Sequence, residues 1–406
     1  MRILRDRYFL AVGACHLTVD LLNTQMPMLV VFLSPTIGLS NADIGLIVLT
    51  YTASGSITQP VFGWLADRYR IKWISGGSLL WLAVWLSVAA SIPEKWVVTA
   101  LATAALGSAA FHASGIEQAT RRGETVMAGR SATAASMFVC FGMVGHALGP
   151  IVGGNILESV GLRGIMLLTG LTIPVVIYSL YQMLAVEVHP PRNGRGSVHT
   201  YGADAAHGKR KVPWEAMTIA FVIVFNAAPG MTSMTFLPKL LQDRNFSPSV
   251  YGMATSVYIC GAALGTLLGG FLADRLGRRR IVFWSMLAAV APMYYYPVIR
   301  GDSMYVLVLL AGAFNGASIP VILVMAQNLY PRWRALASGL TMGFMFASGA
   351  LTTYFFGIAA DRYALEDVMR INGVLCLLGA AISLTLRTEG ERRIVFSEAN
   401  DIVEAH

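Results

Sequence analysis

His16 and Asp20 stand four positions apart in an apolar run, so a helix places an imidazole and a carboxylate one turn apart on a single face. Such a pair can share a proton, and each group tunes the other's hold on it. Three more ionisable residues lie inside apolar stretches, His112, Glu117 and His146, all in the first half. A charge at membrane depth costs roughly 2.5–3.5 kcal/mol even on permissive insertion scales, so an acid placed there points to function. Asp20 is the strongest candidate for a proton-coupling site, with His16 assisting and Glu117 and His112 next. The structural alternative for Asp20 is a buried hydrogen bond to Asn23, Thr24 or a neighbouring helix. Glu117 has Arg121 four residues on, the spacing of an ordinary ion pair, and His146 sits among glycines as a packed core histidine would. The chemistry on offer is proton binding and release. No nucleophile motif, phosphate loop or metal-ligand spacing accompanies it, which excludes an enzyme or nucleotide-driven pump and calls for no cofactor and no metal.

Composition says what must position these groups. The 406 residues are 55% hydrophobic and only 13% charged, with a mean hydropathy of +0.60, far from the balance of a soluble domain. Apolar runs of about 20 residues fall near 8–33, 43–66, 73–92, 97–118, 131–156, 164–186, 214–240, 250–273, 281–299, 303–328, 335–359 and 369–387. An all-α integral membrane protein with twelve transmembrane helices is expected. The first run is too long and too polar for a signal-peptide core, so it is expected to stay. With the amino terminus in the cytoplasm, all but seven of the 30 Lys and Arg fall on the inner side, the seven being Lys95, Arg163, Lys239, Arg244, Arg300, Arg362 and Arg370. Both termini are then cytoplasmic, in a cell (inner or plasma) membrane. The net charge of +8 reads as topology and attraction to anionic lipid, with no call for nucleic acid. Residues 187–213, with His189, His199 and His207 at irregular spacing, read as a flexible cytoplasmic linker between bundles at 1–186 and 214–387; residues 388–406 read as a cytoplasmic tail. Cys15, Cys140, Cys260 and Cys376 are expected as reduced, buried small hydrophobes. Tyr294-Tyr295-Tyr296 reads as an interfacial aromatic belt.

One stretch occurs twice. Gly63-Trp64-Leu65-Ala66-Asp67-Arg68-Tyr69-Arg70 is echoed 207 positions later by Gly270-Phe271-Leu272-Ala273-Asp274-Arg275-Leu276-Gly277-Arg278-Arg279-Arg280, so one unit is built twice. Both copies resemble the loop signature of the major facilitator superfamily, although Arg70 stands where that family has glycine. The resemblance implies two pseudo-symmetric six-helix bundles, alternating access and a monomer. It also implies a gate in which Asp67 and Asp274, with Arg68 and Arg275 nearby, hold cytoplasmic loops against helix ends in an outward-open state. A second run, Gly145-His146-Ala147-Leu148-Gly149-Pro150-Ile151-Val152-Gly153-Gly154, is similar to the antiporter signature of exporters in that superfamily. Its glycines allow close helix approach and Pro150 allows a bend.

A narrower resemblance rests on His16-Leu17-Thr18-Val19-Asp20, Gln59-Pro60-Val61-Phe62-Gly63, Phe111-His112 and Ala326-Gln327-Asn328-Leu329-Tyr330-Pro331. Together these are similar to the fosmidomycin-resistance branch. It implies a proton-driven exporter of small toxic or amphiphilic compounds, with an importer of small organic anions as the alternative. The intramembrane arginine of many drug exporters is missing, Thr103 standing in its place. Asn23, Gln59, Asn226, Asn315 and Gln327 are the polar residues expected to line the substrate cavity.

Overall fold

The computed structural model describes residues 3–69, 73–92, 96–126, 131–186, 214–329 and 334–386. The linker, the tail, Arg70, Lys72, Tyr330 and Pro331 lie outside them, as do the side chains of Asp67 and Arg334. The helices are α1 (Arg7–Asn23), α2 (Gln25–Ile37), α3 (Asn41–Tyr69), α4 (Ile74–Ala89), α5 (Val97–Val126), α6 (Ser131–Val160), α7 (Leu162–Gly170), α8 (Ile173–Ala185), α9 (Trp214–Asp243), α10 (Pro248–Leu276), α11 (Arg278–Tyr295), α12 (Ser303–Leu329), α13 (Arg334–Ala360) and α14 (Leu365–Ser383).

These fourteen helices make the twelve expected crossings, because two crossings are broken. α1 and α2 form one span interrupted at Thr24, where Pro27 lacks the N–H that would bond the Asn23 carbonyl. α7 and α8 are likewise separated ahead of Pro174. Eight segments are long and apolar enough to span a membrane by length and composition. The other four crossings are the shorter α4, the hydroxyl- and glycine-rich α3, and α11 and α14, whose first turns carry charges.

Helices α1–α8 pack as one bundle and α9–α14 as the other, with equivalent pairings. α3 packs on α5 as α10 does on α12, α4 on α5 as α11 on α12, and α1 on α6 as α9 on α13. The α10–α12 contact is the tightest kind of helix seam. A Cβ on Gly265 would stand 1.8 Å from the Ala313 carbonyl, and one on Gly316 2.3 Å from that of Ala262. Outward faces carry exposed apolar side chains such as Leu167, Ile177 and Val306, as a lipid-facing surface requires.

The bundles touch through α3 with α13, α6 with α10, and α2 with α9. These contacts gather at the end remote from the termini, called here the far end. Gly45 faces the backbone of Thr353 and Tyr354, and Gly252 faces that of Pro150 and Gly154. Gln242 donates to the Val31 carbonyl at 2.6 Å. Toward the terminal end the halves part. The nearest atom to a Cβ on Gly63 belongs to Ala113 at 3.9 Å, and on Gly270 to Pro320 at 4.0 Å, each within its own bundle. Along α3, Ile44, Gly45, Ile47 and Val48 are buried, and no described residue after them is.

Two expectations are corrected. Cys15 and Cys376 are buried, but Cys140 and Cys260 are exposed, since α6 and α10 each turn that face outward. Of Tyr294, Tyr295 and Tyr296, only Tyr295 is exposed as a belt residue would be. Tyr296 is buried and donates to Ser233 Oγ at 2.9 Å, and Tyr294 lies under the Arg370 guanidinium, 4.2 Å from the ring centre.

Candidate functional site

The helical spacing of α1 does bring His16 and Asp20 together, and α5 adds His112. The Nε2 of His16 lies 3.3 Å from Asp20 Oδ2, and the Nε2 of His112 lies 3.1 Å from Asp20 Oδ1. Each ring is fixed from behind. His16 Nδ1 is 2.7 Å from the Phe138 carbonyl on α6, and His112 Nδ1 is 2.9 Å from the Ser108 carbonyl. A carbonyl only accepts, so both Nδ1 atoms carry hydrogen and both Nε2 atoms face the carboxylate. His16 is also stacked on Phe138 with ring centres 3.9 Å apart, and Phe111 stands 5.5 Å away.

Asn23 closes the ring of contacts. Its Nδ2 donates to Asp20 Oδ1 at 3.3 Å and to Ser108 Oγ at 2.9 Å, while its Oδ1 accepts from Tyr51 on α3 at 2.8 Å. Four helices, α1, α3, α5 and α6, therefore hold one carboxylate. The site also depends on an absent side chain: a Cβ on Gly142 of α6 would stand 2.4 Å from His16 Nε2 and 2.6 Å from Asp20 Oδ2. Gly142, Ser108, Tyr51 and Phe138 were not foreseen in the sequence. Gly142 lies three residues ahead of the Gly145 run, at helical spacing, which is the signal that could have found it.

Proton counting follows from this geometry. A neutral imidazole with hydrogen on Nδ1 presents a lone pair at Nε2, which repels an ionised carboxylate. A carboxylic acid can donate to one of the two rings but not both. Both short contacts are satisfied together either with both rings protonated and Asp20 ionised, or with one ring protonated and Asp20 donating its acid hydrogen to the other. The cluster thus has room for two protons beyond the bare carboxylate. Its side chains are unequally open, with His112 at 30% exposure against 13% for Asp20 and 7% for His16.

The other foreseen residues lie elsewhere. Glu117 is paired with Arg121 at 2.5 Å, the ordinary alternative stated for it. His146 is half-buried on α6, one turn beyond Gly142. Gly145, Gly149 and Gly153 seat α6 on α1, against Leu17, Thr24 and Gln25, while Gly154 faces Pro248 and Gly252 of α10. Pro150 lies within α6 and its carbonyl faces Gly252. Of the repeated motif, Arg68 is exposed, Asp274 is exposed without a hydrogen-bond partner among the described residues, and Arg275 lies over the Phe271 ring at 4.1 Å. Gly277 has φ +93° and turns α10 into α11, which Arg278 begins. Gln59 is exposed on α3, and Gln327 is partly buried near the end of α12. Asn226 and Asn315, expected to line the substrate cavity, are both buried where α9 meets α12. Asn226 Nδ2 donates to the Asn315 carbonyl at 3.0 Å, and Asn315 Nδ2 to the Asn226 carbonyl at 2.9 Å. Each side-chain amide thus binds the other residue's backbone carbonyl across α9 and α12, Asn315 Oδ1 accepts from Tyr258 at 3.2 Å, and Asn226 Oδ1 is buried without a partner among the described residues.

A family model described as Major Facilitator Superfamily matches residues 10–228 and 219–401. The chain belongs to the major facilitator superfamily. It is a multi-pass membrane transporter and not an enzyme. It is 27% identical over 379 residues to the fosmidomycin resistance protein of Escherichia coli (strain K12), covering 91% of this chain and 90% of that one. The gallate transporter of Pseudomonas putida is 31% identical over 194 residues, 46% of this chain and 42% of that protein. Among solved structures, a bacterial homolog of the human lysosomal transporter Spinster superposes with a TM-score of 0.76 at 15% identity, covering 94% of this chain and 97% of that one. That likeness carries the fold.

Proposed function

We propose that this transporter is a proton-coupled exporter of small toxic or amphiphilic compounds, working by alternating access with Asp20, His16 and His112 as the coupling site. The observation that carries the reading is the aim of two Nε2 atoms at one carboxylate, 3.3 and 3.1 Å away, with both rings pinned through Nδ1. A site that needs protons to satisfy its own geometry opens when it loses them. A substrate loaded from the terminal side then competes with those protons, and their return from the other side drives it out. The likeness over nine-tenths of the chain to a fosmidomycin resistance protein supports export. The exposed Asp274 fits a gate that is disengaged while the terminal end is open, and that engages, with Asp67, when the cycle reverses. Both termini are assigned to the cytoplasm of a cell-membrane monomer, on the distribution of Lys and Arg.

A second reading has one observation in its favour. Two imidazoles stand against a single acid, with no Lys or Arg at that depth among the described residues, so the fully protonated cluster is cationic and suits a small organic anion. The gallate transporter resemblance points the same way. Co-binding of anion and proton would make that protein an importer.

The test begins with a strain carrying the protein, screened against toxic compounds with and without an uncoupler. Vesicle transport of a responsive compound then compares wild type with Asp20→Asn. Export predicts that Asp20→Asn loses accumulation driven by a pH gradient and keeps exchange. Accumulation with normal pH dependence in that variant would refute the coupling site, and stimulation by a proton gradient of the same direction as the compound would favour import.

A further inference from the structure

We infer that Asp361 and Glu158 are the gate residues of the far end, two carboxylate clamps that hold the bundles shut there and release when the transporter opens to that side. The inference rests on alternating access, not on which compound or ion is carried.

The first clamp joins α13 to α3. Ser40 and Asp43 cap α3 locally: the Asp43 amide donates to Ser40 Oγ at 3.1 Å and the Ser40 amide to Asp43 Oδ2 at 3.0 Å. That leaves the first two helical amides without partners. Asn41 N–H donates to Asp361 Oδ1 at 2.7 Å and Ala42 N–H to Asp361 Oδ2 at 3.1 Å, so a carboxylate from the other bundle completes the cap. The second clamp joins α6 to α10. Pro248 opens α10 and has no N–H to offer, and the Ser249 amide donates to Glu158 Oε2 at 2.9 Å.

The two clamps are copies. Asp361 follows Gly357 by four residues, and Glu158 follows Gly154 by four. A Cβ on Gly357 would lie 2.3 Å from the Asn41 carbonyl, and one on Gly154 2.3 Å from the Pro248 carbonyl, the first helical residue in each case. Gly45 and Gly252 return the contact against Thr353 and Pro150. Each pair of equivalents on α6 and α13 is 203 positions apart, and each pair on α3 and α10 is 207 apart. The glycine brings the helices together and the acid one turn on locks onto the partner's amides.

Placement of the acids is informative in itself. Glu158 lies in the last turn of α6, and Asp361 directly follows α13, where each opposes the negative end of its own helix dipole. That locally unfavourable choice is compensated only by the partner's positive end, so its benefit exists only while the far end is shut. The repeated motif has the same form at the terminal end, with Gly63 and Asp67 on α3 and Gly270 and Asp274 on α10. Each of the four interface helices therefore carries a glycine followed four residues later by an acid near its C-terminal end. The far-end pair is engaged, and Asp274 is not.

The experiment reads the seal directly. Ser256 is 6% exposed and accepts the Ile151 N–H across the interface at 3.0 Å, so Ser256→Cys places a thiol inside it. In a background of Cys140→Ser and Cys260→Ser, maleimide labelling of the purified protein reports far-end opening. Asp361→Asn and Glu158→Gln are each expected to raise the labelling rate about threefold, and together roughly tenfold, the size of one and two solvent-exposed helix-end charges. Asp361→Glu and Glu158→Asp are expected to restore most of the protection, whereas Asp274→Asn is expected to leave it intact or strengthen it. Unchanged labelling in both single variants, each monodisperse and melting as the parent does, overturns the clamps. So does equal labelling in the charge-conserving variants, which would mark the acids as packing residues. Since no substrate enters the assay, failure of the proposed export leaves this result standing.

Discussion

Gly142→Ala is the smallest change that perturbs the proposed coupling site and leaves its polar groups in place. The added methyl would sit 2.4 Å from His16 Nε2, 2.5 Å from His16 Cε1 and 2.6 Å from Asp20 Oδ2. An ordinary carbon contact needs about 3.4 Å or more. The imidazole or the carboxylate must therefore retreat by about 1 Å, which stretches the 3.3 Å contact between them beyond hydrogen-bond range. His16 has nowhere to go, being stacked on Phe138 at 3.9 Å and bonded to its carbonyl at 2.7 Å, so Asp20 moves and the His112 contact loosens as well. Overpacking of this kind costs about 1–3 kcal/mol in stability. Two readouts are expected to move: a lower melting temperature, and at least a tenfold loss of pH-gradient-driven transport with an altered pH profile. Adding His16→Ala to Gly142→Ala makes room again and is expected to recover melting temperature without recovering the pH profile, since the ring that receives the proton is gone. Wild-type pH dependence in Gly142→Ala would refute the argument, because the cluster could not then be the titrating unit.

Three further outcomes are expected. Asp274→Asn and Asp67→Asn should each reduce transport while leaving expression and insertion unchanged, with transport rates in vesicles as the check; unchanged rates in both remove the terminal-end gate. Asn315→Ala leaves the Tyr258 hydroxyl and the Asn226 backbone carbonyl without partners they now have at 3.2 and 2.9 Å, so it should destabilise by about 1–3 kcal/mol in a thermal melt with little change in the pH profile of transport. Asp6 caps α1 through the Phe9 amide and takes a bidentate bond from Arg122 at 2.9 and 2.6 Å. Partial burial pushes its carboxyl up, but Arg122 and the amide outweigh that and hold it below its ordinary value. A lowered folded-state value means that its stabilisation is full above about pH 4 to 5 and fades as the pH falls through the folded value. The melting temperature of Asp6→Asn should therefore drop less between pH 6 and pH 3 than that of the wild type.

The twelve crossings were legible because each is a run of about 20 apolar residues, and the duplication because a charged turn repeats after half the chain. Helix breaks at Thr24 and ahead of Pro174 were not placed, since hydropathy averages over a proline that removes one hydrogen bond. The pairing of His16 with Asp20 came from helical period alone. His112 joins them through the packing of α5 on α1, which no local pattern encodes, whereas the pairing of Glu117 with Arg121 is readable from their spacing. For Asn226 and Asn315 the sequence is silent on orientation, because a buried amide in an apolar span looks the same whether it faces a substrate or a neighbouring helix's backbone. The far-end acids left no motif: Asn155-Ile156-Leu157-Glu158 and Ile358-Ala359-Ala360-Asp361 share only the spacing from a glycine.

One helix touches everything that the mechanism uses. At Phe138 and Gly142, α6 forms the back wall of the Asp20 cluster; at Gly145, Gly149 and Gly153 it lies against α1; at Gly154 and Glu158 it meets α10. From Gly142 to Glu158 is 16 residues, about 24 Å along a helix axis. From Gly145 to Gly153 the α6 side of the seam against α1 and the start of α2 is glycine at every fourth residue, so the backbones meet closely there, and Pro150 removes one backbone bond at its middle. If the Asp20 cluster couples protons as proposed, α6 is the helix that joins it to the α10 contact, and among the described residues α13, its counterpart in the second bundle, has the acid without a titrating cluster behind it. Chemistry on one side and a matching hinge on the other is what an asymmetric driver of a symmetric gate requires.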